Sequence, residues 1–402
     1  MTEVEISIMS SNSDSNPEEE VRAVLGKFEE HHNARLTFSI YDWAPAWAEI
    51  MKIMLYKHGP VMSQIGTTWL GSLEATQALR PFTPLEINQL GGPAVYHESS
   101  WKSGTFAETG RVIAIPWFVD TYVLYYRKDL LEKAGVDEAT AFESLEALEE
   151  TVSKLARSGV EVPLAIPTGI PSRANIHNIA GWVWSHGGEF ISEDGKNLLF
   201  SDAKTRQGLR AYFSLSKHTP KTAQTLSDVD CYNTFLGGSA AIALRNSSLL
   251  YTVRHSPLYS GVLARMGVAA MPGESFVGGS SFVIWNHIRS LEERVVIELL
   301  RTITLPDIQY AYFEQNGFLP ARIEALKRLE AQPFYGPVVE TLKRGRSFRK
   351  IKLWGLVEER LMNAITEIWQ ALYAKENANI DEEIERVLGP LERRLQLTLS
   401  DN

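Results

Sequence analysis

The amino-acid sequence predicts an α/β protein built from two domains. Three observations predict it: the first third alternates strand and helix patterns, the chain runs to 402 residues, and neither a polar linker nor an internal repeat divides it. A chain of that length outgrows one small core and divides into domains of ordinary size. Domains joined without a long tether favour hinge motion over independent tumbling.

The first third carries the clearest periodicity. Val4–Met9 alternates as a strand, and Pro17–His32 reads as a helix whose opening acidic residues suit the positive end of its dipole. Arg35–Tyr41 is a second alternating strand, followed by an amphipathic helix over Ala44–His58, a short buried strand at Val61–Ile65 and a helix over Trp69–Gln77. This run implies a mostly parallel sheet with helices on both faces. Binding loops of such sheets lie at the carboxyl ends of the strands, here Ser10–Asn16, Asp42–Trp47 and Gly66–Trp69.

A hairpin is predicted over Gly104–Ala107 and Arg111–Ile115, with Gly110 supplying the positive φ of a tight turn. After a strand at Tyr122–Tyr126 a second α/β unit follows to about Gly261, with helices at Asp129–Ala134, Phe142–Arg157, Asn175–His186, Asp202–Lys217 and Asp230–Leu236 and strands at Leu164–Ile166 and Ala240–Leu244. Gly267–Met271 and Phe276–Trp285 return to strand character. From Leu291 the pattern is helical, ending in long helices over Leu353–Ala374 and Ile380–Leu399.

Composition narrows the function. With 40 basic against 49 acidic residues the net charge is −9, which repels nucleic acid and anionic membranes, so no nucleic-acid partner is expected. The single cysteine, Cys231, rules out an intramolecular disulfide and a thiolate metal cluster. No window approaches the roughly 20 apolar residues of a membrane span. The N-terminus enters a strand pattern directly and lacks a signal-peptide pattern, so an exported protein is expected to have its leader outside this sequence. Ten Trp, with 14 Tyr and 16 Phe, are a heavy aromatic load, and several Trp sit beside Gly, Pro, Asp or Asn rather than on apolar helix faces.

The segment Ala114-Ile115-Pro116-Trp117-Phe118-Val119-Asp120-Thr121-Tyr122-Val123-Leu124-Tyr125-Tyr126-Arg127-Lys128-Asp129 resembles the extracellular solute-binding protein family 1, the sugar-binding group that includes maltose-binding protein. Further blocks follow the family's order: Gln64-Ile65-Gly66-Thr67-Thr68-Trp69, Phe235-Leu236-Gly237-Gly238-Ser239-Ala240, Met271-Pro272-Gly273 with Val277-Gly278-Gly279-Ser280, and Asn316-Gly317-Phe318-Leu319-Pro320. The family usually has Pro-Asp-Val before the Gln-Ile-Gly stretch, where this chain has Pro60-Val61-Met62.

The resemblance implies a periplasmic-binding-protein-like fold of type II: two α/β lobes joined by a hinge, with a ligand cleft between them. Residues 1–116 with 265–312 would form the N-terminal lobe, and 117–264 with 313–402 the C-terminal lobe. It implies the substrate-binding subunit of an ABC importer, a monomer that is not an enzyme and needs no cofactor. It would bind a mono- to oligosaccharide and deliver it to transmembrane permease subunits, closing by hinge motion. The expected location is extracytoplasmic, in a periplasm or lipid-anchored at the outer face of the cell membrane.

A sugar presents flat C–H patches, which suit an aromatic face, and hydroxyl rims, which suit planar or charged polar groups. Trp43, just past the second strand, is a candidate stacking platform, against the alternative that it packs under its own helix as Trp47 is expected to. Trp69 and Thr68 follow the third strand, where Thr67 or Thr68 also suits an N-cap. Trp117 and Asp120 stand where the chain first crosses between lobes. A carboxylate there, with no basic residue in 113–126, needs ligand hydroxyls or hinge N–H groups as partners. Trp182 and Trp184 lie two apart on a helix and face different ways. One is therefore expected in the core and the other, Trp184, in the cleft, with His177 and Asn178 as further polar groups. Arg245 and Asn246 end a strand. Gly279 and Ser280, after Gly278, either offer backbone N–H groups to ligand or shape a bulge. Trp354 either closes over ligand or staples its helix. Trp101, Trp285 and Trp369 suit packing.

Two rivals use the same residue types. A glycosidase needs two carboxylates roughly 5 to 10 Å apart; Asp120 and Glu108 are available but nothing pairs them, and no hydrolase, zinc-protease or nucleotide-binding motif is present. A binder of polyamine or peptide would want clustered carboxylates, which are scattered here. An iron site at Tyr125-Tyr126 is ruled out because neighbours in a strand point to opposite faces.

Overall fold

A computed structural model describes residues 1–10, 16–106, 109–375 and 377–400. Most of the expected binding loop Ser10–Asn16, and the hairpin residues Ala107 and Glu108, therefore lie outside the described residues. The chain divides into two units. Unit 1 comprises Met1–Asp120 with Gly278–Ala331, and unit 2 comprises Thr121–Val277 with Gln332–Asn402.

Unit 1 is built on a six-stranded sheet. Its strands are β1 (Thr2–Ser10), β2 (Ala34–Asp42), β3 (Met62–Gly66), β6 (Ala114–Thr121), β11 (Val277–Ile284) and β12 (Leu319–Pro320), in the order β12-β6-β11-β3-β1-β2. The short strands β4 (Thr105–Phe106) and β5 (Arg111–Val112) form the expected hairpin beside it. β1 is parallel to β2 over nine residue pairs ending at Ser10↔Asp42, and parallel to β3. β11 runs antiparallel to β3, and β12 to β6. Four apolar residues of β1 are buried, as a strand covered on both faces requires. The helix expected over Pro17–His32 is two helices, Pro17–Leu25 and Phe28–His32, because Gly26 takes φ +56° and ends the first of them at a turn.

The sheet interior carries polar residues that satisfy one another. Ser7 Oγ donates to Ser63 Oγ (2.6 Å), which also accepts from Trp285 Nε1 (2.8 Å). Gln64 Oε1 accepts from the Met9 amide (3.0 Å), supplying a partner beyond the end of the β1–β3 ladder, while its Nε2 donates to Ser280 Oγ (2.9 Å).

Unit 2 has a four-stranded sheet in the order β10-β7-β9-β8: β7 (Val123–Arg127), β8 (Val162–Ala165), β9 (Ala240–Arg245) and β10 (Met266–Ala269). Only β8 and β9 are parallel. Helices Arg173–Ser185, Ala203–Ser214 and Trp354–Ala374 meet through Trp182, Tyr212 and Trp369, whose ring centroids lie 5.0 and 5.4 Å apart in sequence. The last helix, Ile380–Ser400, is clipped down by Gln396, which accepts from the Leu198 amide and donates to the Lys196 carbonyl, both at 2.8 Å.

The unit boundaries differ from those expected at 116/117, 264/265 and 312/313. Pairing explains each shift. β6 continues within the unit 1 sheet to Asp120; β10 pairs with β7 of unit 2, so unit 1 resumes only at Gly278. β12 pairs with Val119 and Phe118 of β6, keeping residues up to Ala331 in unit 1.

Candidate functional site

The parallel strands of unit 1 end at Ser10, Asp42 and Gly66, and the aromatic candidates gather there. Asp42 leads directly into the helix Trp43–Tyr56, which sets Trp43 and Trp47 one turn apart on one face. Trp69, 3% exposed, closes a short 3₁₀ turn after β3, and its ring lies 5.7 Å from that of Trp43 and 5.4 Å from that of Trp47. Gly66 eases the approach, since a Cβ there would sit 3.2 Å from the Trp43 ring and push it back by a few tenths of an ångström. Trp69 belongs to a buried cluster with Met9, Ala46, Ile50, Ile65 and Leu70, and the partly exposed Trp43, Trp47 and Tyr41 pack against that cluster. Burial, helped by nearby Glu5 and Glu49, holds the Tyr41 phenol above its ordinary pKa, so it remains a neutral hydroxyl. Asp42 is exposed and Thr68 half-buried. The cap of the 3₁₀ turn is Gly66 and no side chain bonds to it, so neither threonine is the expected N-cap.

The other unit 1 candidates lie elsewhere. Trp117 is 1% exposed, set in the core between Phe282 (5.2 Å) and Tyr312 (4.7 Å) rather than at a surface. Ser280 is fully buried with its hydroxyl taken by Gln64. Gly279 has φ +123°, and a Cβ on it would lie 2.2 Å from the Phe118 carbonyl oxygen, so it serves close approach of β11 to β6. Asp120 is half-buried at the end of unit 1's stretch of β6.

In unit 2, Arg245 and Asn246 follow one another at the carboxyl end of β9. Arg245 is buried and ion-paired with Asp228, with Nη2 3.2 Å from Oδ2 and Nη1 on Oδ1; that carboxylate holds the guanidinium charged against the cost of burial. Asn246 accepts from Tyr125 Oη at its carbonyl (3.0 Å) and from Ser248 Oγ at Oδ1 (2.6 Å). The His177 ring stacks on Phe276 (centroids 3.8 Å, 6° between planes), and its Nδ1 lies 3.3 Å from Tyr122 Oη. Burial, and then the charge of Arg173, push this imidazole down to about 3, so it is neutral at physiological pH. Asn178 is buried.

Trp184 and Trp354 do come together, but inside the core. Trp354 stacks on Phe348 at 4.6 Å, and Trp184 meets the same ring tilted at 55° and 5.1 Å and Phe190 edge-on at 6.4 Å. The expectation that Trp184 faces outward while Trp182 is buried gives way: they are 3% and 2% exposed, because Phe348 and the Arg346 guanidinium, 5.2 Å above its ring, cover Trp184. Trp101, Trp285 and Trp369 are buried as expected. Trp47, expected to pack under its own helix, and Tyr41, which sequence reasoning did not single out, also stand partly exposed at this edge, packed against the same core. The i,i+4 spacing from Trp43 and the place of Tyr41 at the end of β2 were the signals that could have found them.

Two α/β units linked by three chain crossings are the architecture of two-lobed bacterial binding proteins, and solved structures of that class superpose on nearly the whole chain. The sugar-binding protein MalE of Xanthomonas citri matches with a TM-score of 0.81 at 20% identity, covering 100% of this chain and 98% of its own. Maltose-bound MalE3 of T. maritima matches with a TM-score of 0.80 at 19% identity, covering 98% and 99%. The family model for bacterial extracellular solute-binding proteins matches residues 16–249, and the chain belongs to that family. Among curated relatives, the sn-glycerol-3-phosphate-binding periplasmic protein UgpB of Yersinia enterocolitica is 24% identical over 332 residues, covering 79% of this chain and 74% of the relative. UgpB of Yersinia pestis is 23% identical over 288 residues, covering 69% and 64%. Among the described residues, no helix is long and apolar enough to cross a membrane.

Proposed function

We propose that this chain is the substrate-binding subunit of an ABC-type importer, capturing a carbohydrate and handing it to transmembrane permease subunits. The reading takes it as a monomer acting outside the cytoplasm, in a periplasm or on a lipid anchor, with no chemistry of its own. The carrying observation is the partly exposed pair Trp43 and Trp47, backed by buried Trp69, at the carboxyl edge of the parallel strands beside Asp42 and Tyr41. Indole faces match the C–H patches of a sugar ring, and a carboxylate and a neutral phenol match its hydroxyls. Thr68 and Asp120 of unit 1, and separately Asn246 of unit 2, are the polar residues this reading offers to ligand hydroxyls. Trp117, Trp184, Arg245, Gly279, Ser280 and Trp354 are assigned to supporting it from within each unit.

A second reading, glycerol 3-phosphate, is favoured by what the curated relatives are named for. A phosphate calls for cations, whereas Arg245 is committed to Asp228 and His177 is neutral. Isothermal calorimetry against a carbohydrate library and glycerol 3-phosphate separates the two. The carbohydrate reading expects a saturable sugar ligand; tight binding of glycerol 3-phosphate alone would replace it. Release of free sugar during incubation with glycosides would make the protein an enzyme instead.

A further inference from the structure

We propose that residues 343–352, in unit 2, form a docking surface for an acidic polypeptide segment of a partner protein. The proposal stands apart from the carbohydrate reading, and either can fail without the other. Six of these ten residues, Lys343, Arg344, Arg346, Arg349, Lys350 and Lys352, are cationic and none is acidic. The chain's net charge of −9 becomes −15 once these six are set aside. The stretch is therefore opposite in sign to the rest of the molecule.

The fold holds this stretch in place. It leaves the helix Gly336–Arg344 and enters the helix Trp354–Ala374. Between them the Arg346 amide donates to the Ser275 carbonyl (2.9 Å), its own carbonyl accepts from the Val277 amide (2.7 Å), and Ser347 Oγ donates to the Val277 carbonyl (2.6 Å). Phe348 stacks on Trp354, and Ile351 is buried in the core of the unit. With these anchors turned inward, Lys343, Arg344 and Lys352 are exposed, and Arg346, Arg349 and Lys350 are half-buried. Burial pushes the Lys350 ammonium down to about 8, so it keeps its charge at pH 7.

The guanidiniums are oriented before any partner arrives. Glu274 Oε2 lies 3.0 Å from Arg346 Nη1, Glu340 Oε1 lies 3.0 Å from Arg344 Nη2, and Glu189 pairs with Arg346 and, at 3.5 Å, with Arg349. Holding long side chains in advance lowers the ordering cost of binding. A guanidinium has five N–H donors in a planar fork, so one carboxylate does not exhaust it. The charge pattern also selects the kind of partner. Screening limits the attraction to roughly 10 Å, so a short acidic segment lying on these ten residues meets chiefly the six cations. A bilayer or a nucleic-acid duplex is broader and meets the negative remainder too.

The test is fluorescence anisotropy on the intact protein at pH 7 with labelled hexaglutamate, and labelled hexalysine as the opposite charge. The proposal expects saturable binding of hexaglutamate at one peptide per protein, weakening as salt is raised, and none of hexalysine. The triple variant Lys343→Gln, Arg344→Gln, Lys352→Gln should lose at least about fivefold in affinity at an unchanged melting temperature, since all three side chains are exposed. Removing the same charge at exposed positions elsewhere, by Lys27→Gln, Lys133→Gln and Lys327→Gln, should lose less than about twofold. No binding of hexaglutamate, or equal losses in the two triple variants, would overturn the proposal. So would flotation with vesicles of phosphatidylcholine and phosphatidylglycerol, which would make the surface a membrane contact, or displacement of the peptide by equimolar inorganic phosphate, which would make it a small-anion site.

Discussion

Arg245 and His177 stand near a strand end and a helix start where a ligand-binding protein would place polar groups, yet each is quieted by its surroundings. Replacing Asp228 by Asn leaves the buried guanidinium of Arg245 without its counter-charge. Because Asp228 is itself 42% exposed and water can partly replace it, the expected loss is about 1–3 kcal/mol in urea denaturation. His177 sets a pH dependence. Its native pKa of about 3 lies below the ordinary 6.5, so the unfolded chain binds a proton in a range where the native one does not. Its contribution is fully present above about 6.5 and is lost as the pH falls toward 3. His177→Gln should flatten the fall in melting temperature over that interval. The strand-end position of Trp43 and Trp69 was legible in the sequence, since the alternation of β2 and β3 fixes where those strands stop. The burial of Trp117, Trp184 and Trp354 was not. For Trp117 and Trp184 it depends on Phe282, Tyr312 and Phe348, residues 164 to 195 positions away whose approach no local pattern announces, whereas Trp354 stacks on the same Phe348 only six positions before it.

Among the elements, the two C-terminal helices are joined by Glu383, whose buried carboxylate accepts from Lys375 Nζ and Arg386 Nε, both at 2.6 Å. These two cations hold its pKa below 4.5, so its contribution is present above that value and is lost as the pH falls through the lowered one. Glu383→Gln is expected to cost roughly 1 kcal/mol at neutral pH, since both cations are largely exposed, and to flatten the acid limb of the stability profile. At β11, Gly279→Ala meets both a positive φ and the Phe118 carbonyl at 2.2 Å, and is expected to cost about 3 kcal/mol or more in denaturant titration. Strand and helix periodicity made β1, β2 and β3 readable to within a residue or two. The break at Gly26 was harder, because Gly inside an amphipathic pattern is compatible with a continuous helix until the chain is seen to turn there.

For the whole molecule, the order of the motif blocks was enough to identify two lobes and the family, while the crossing points needed the sheets. A short strand such as β10 takes its membership from the partner it finds, and Met266–Ala269 finds β7 rather than a unit 1 strand. The central claim, that the unit 1 aromatic edge receives a carbohydrate, is tested most directly by calorimetric titration of the wild type and Trp43→Ala with the carbohydrate library. The account predicts saturable binding of a sugar to the wild type and at least about tenfold weaker binding to Trp43→Ala, measured below the lowered melting temperature that loss of its packing on Trp69 brings. Equal affinity of the two proteins for that sugar would contradict it.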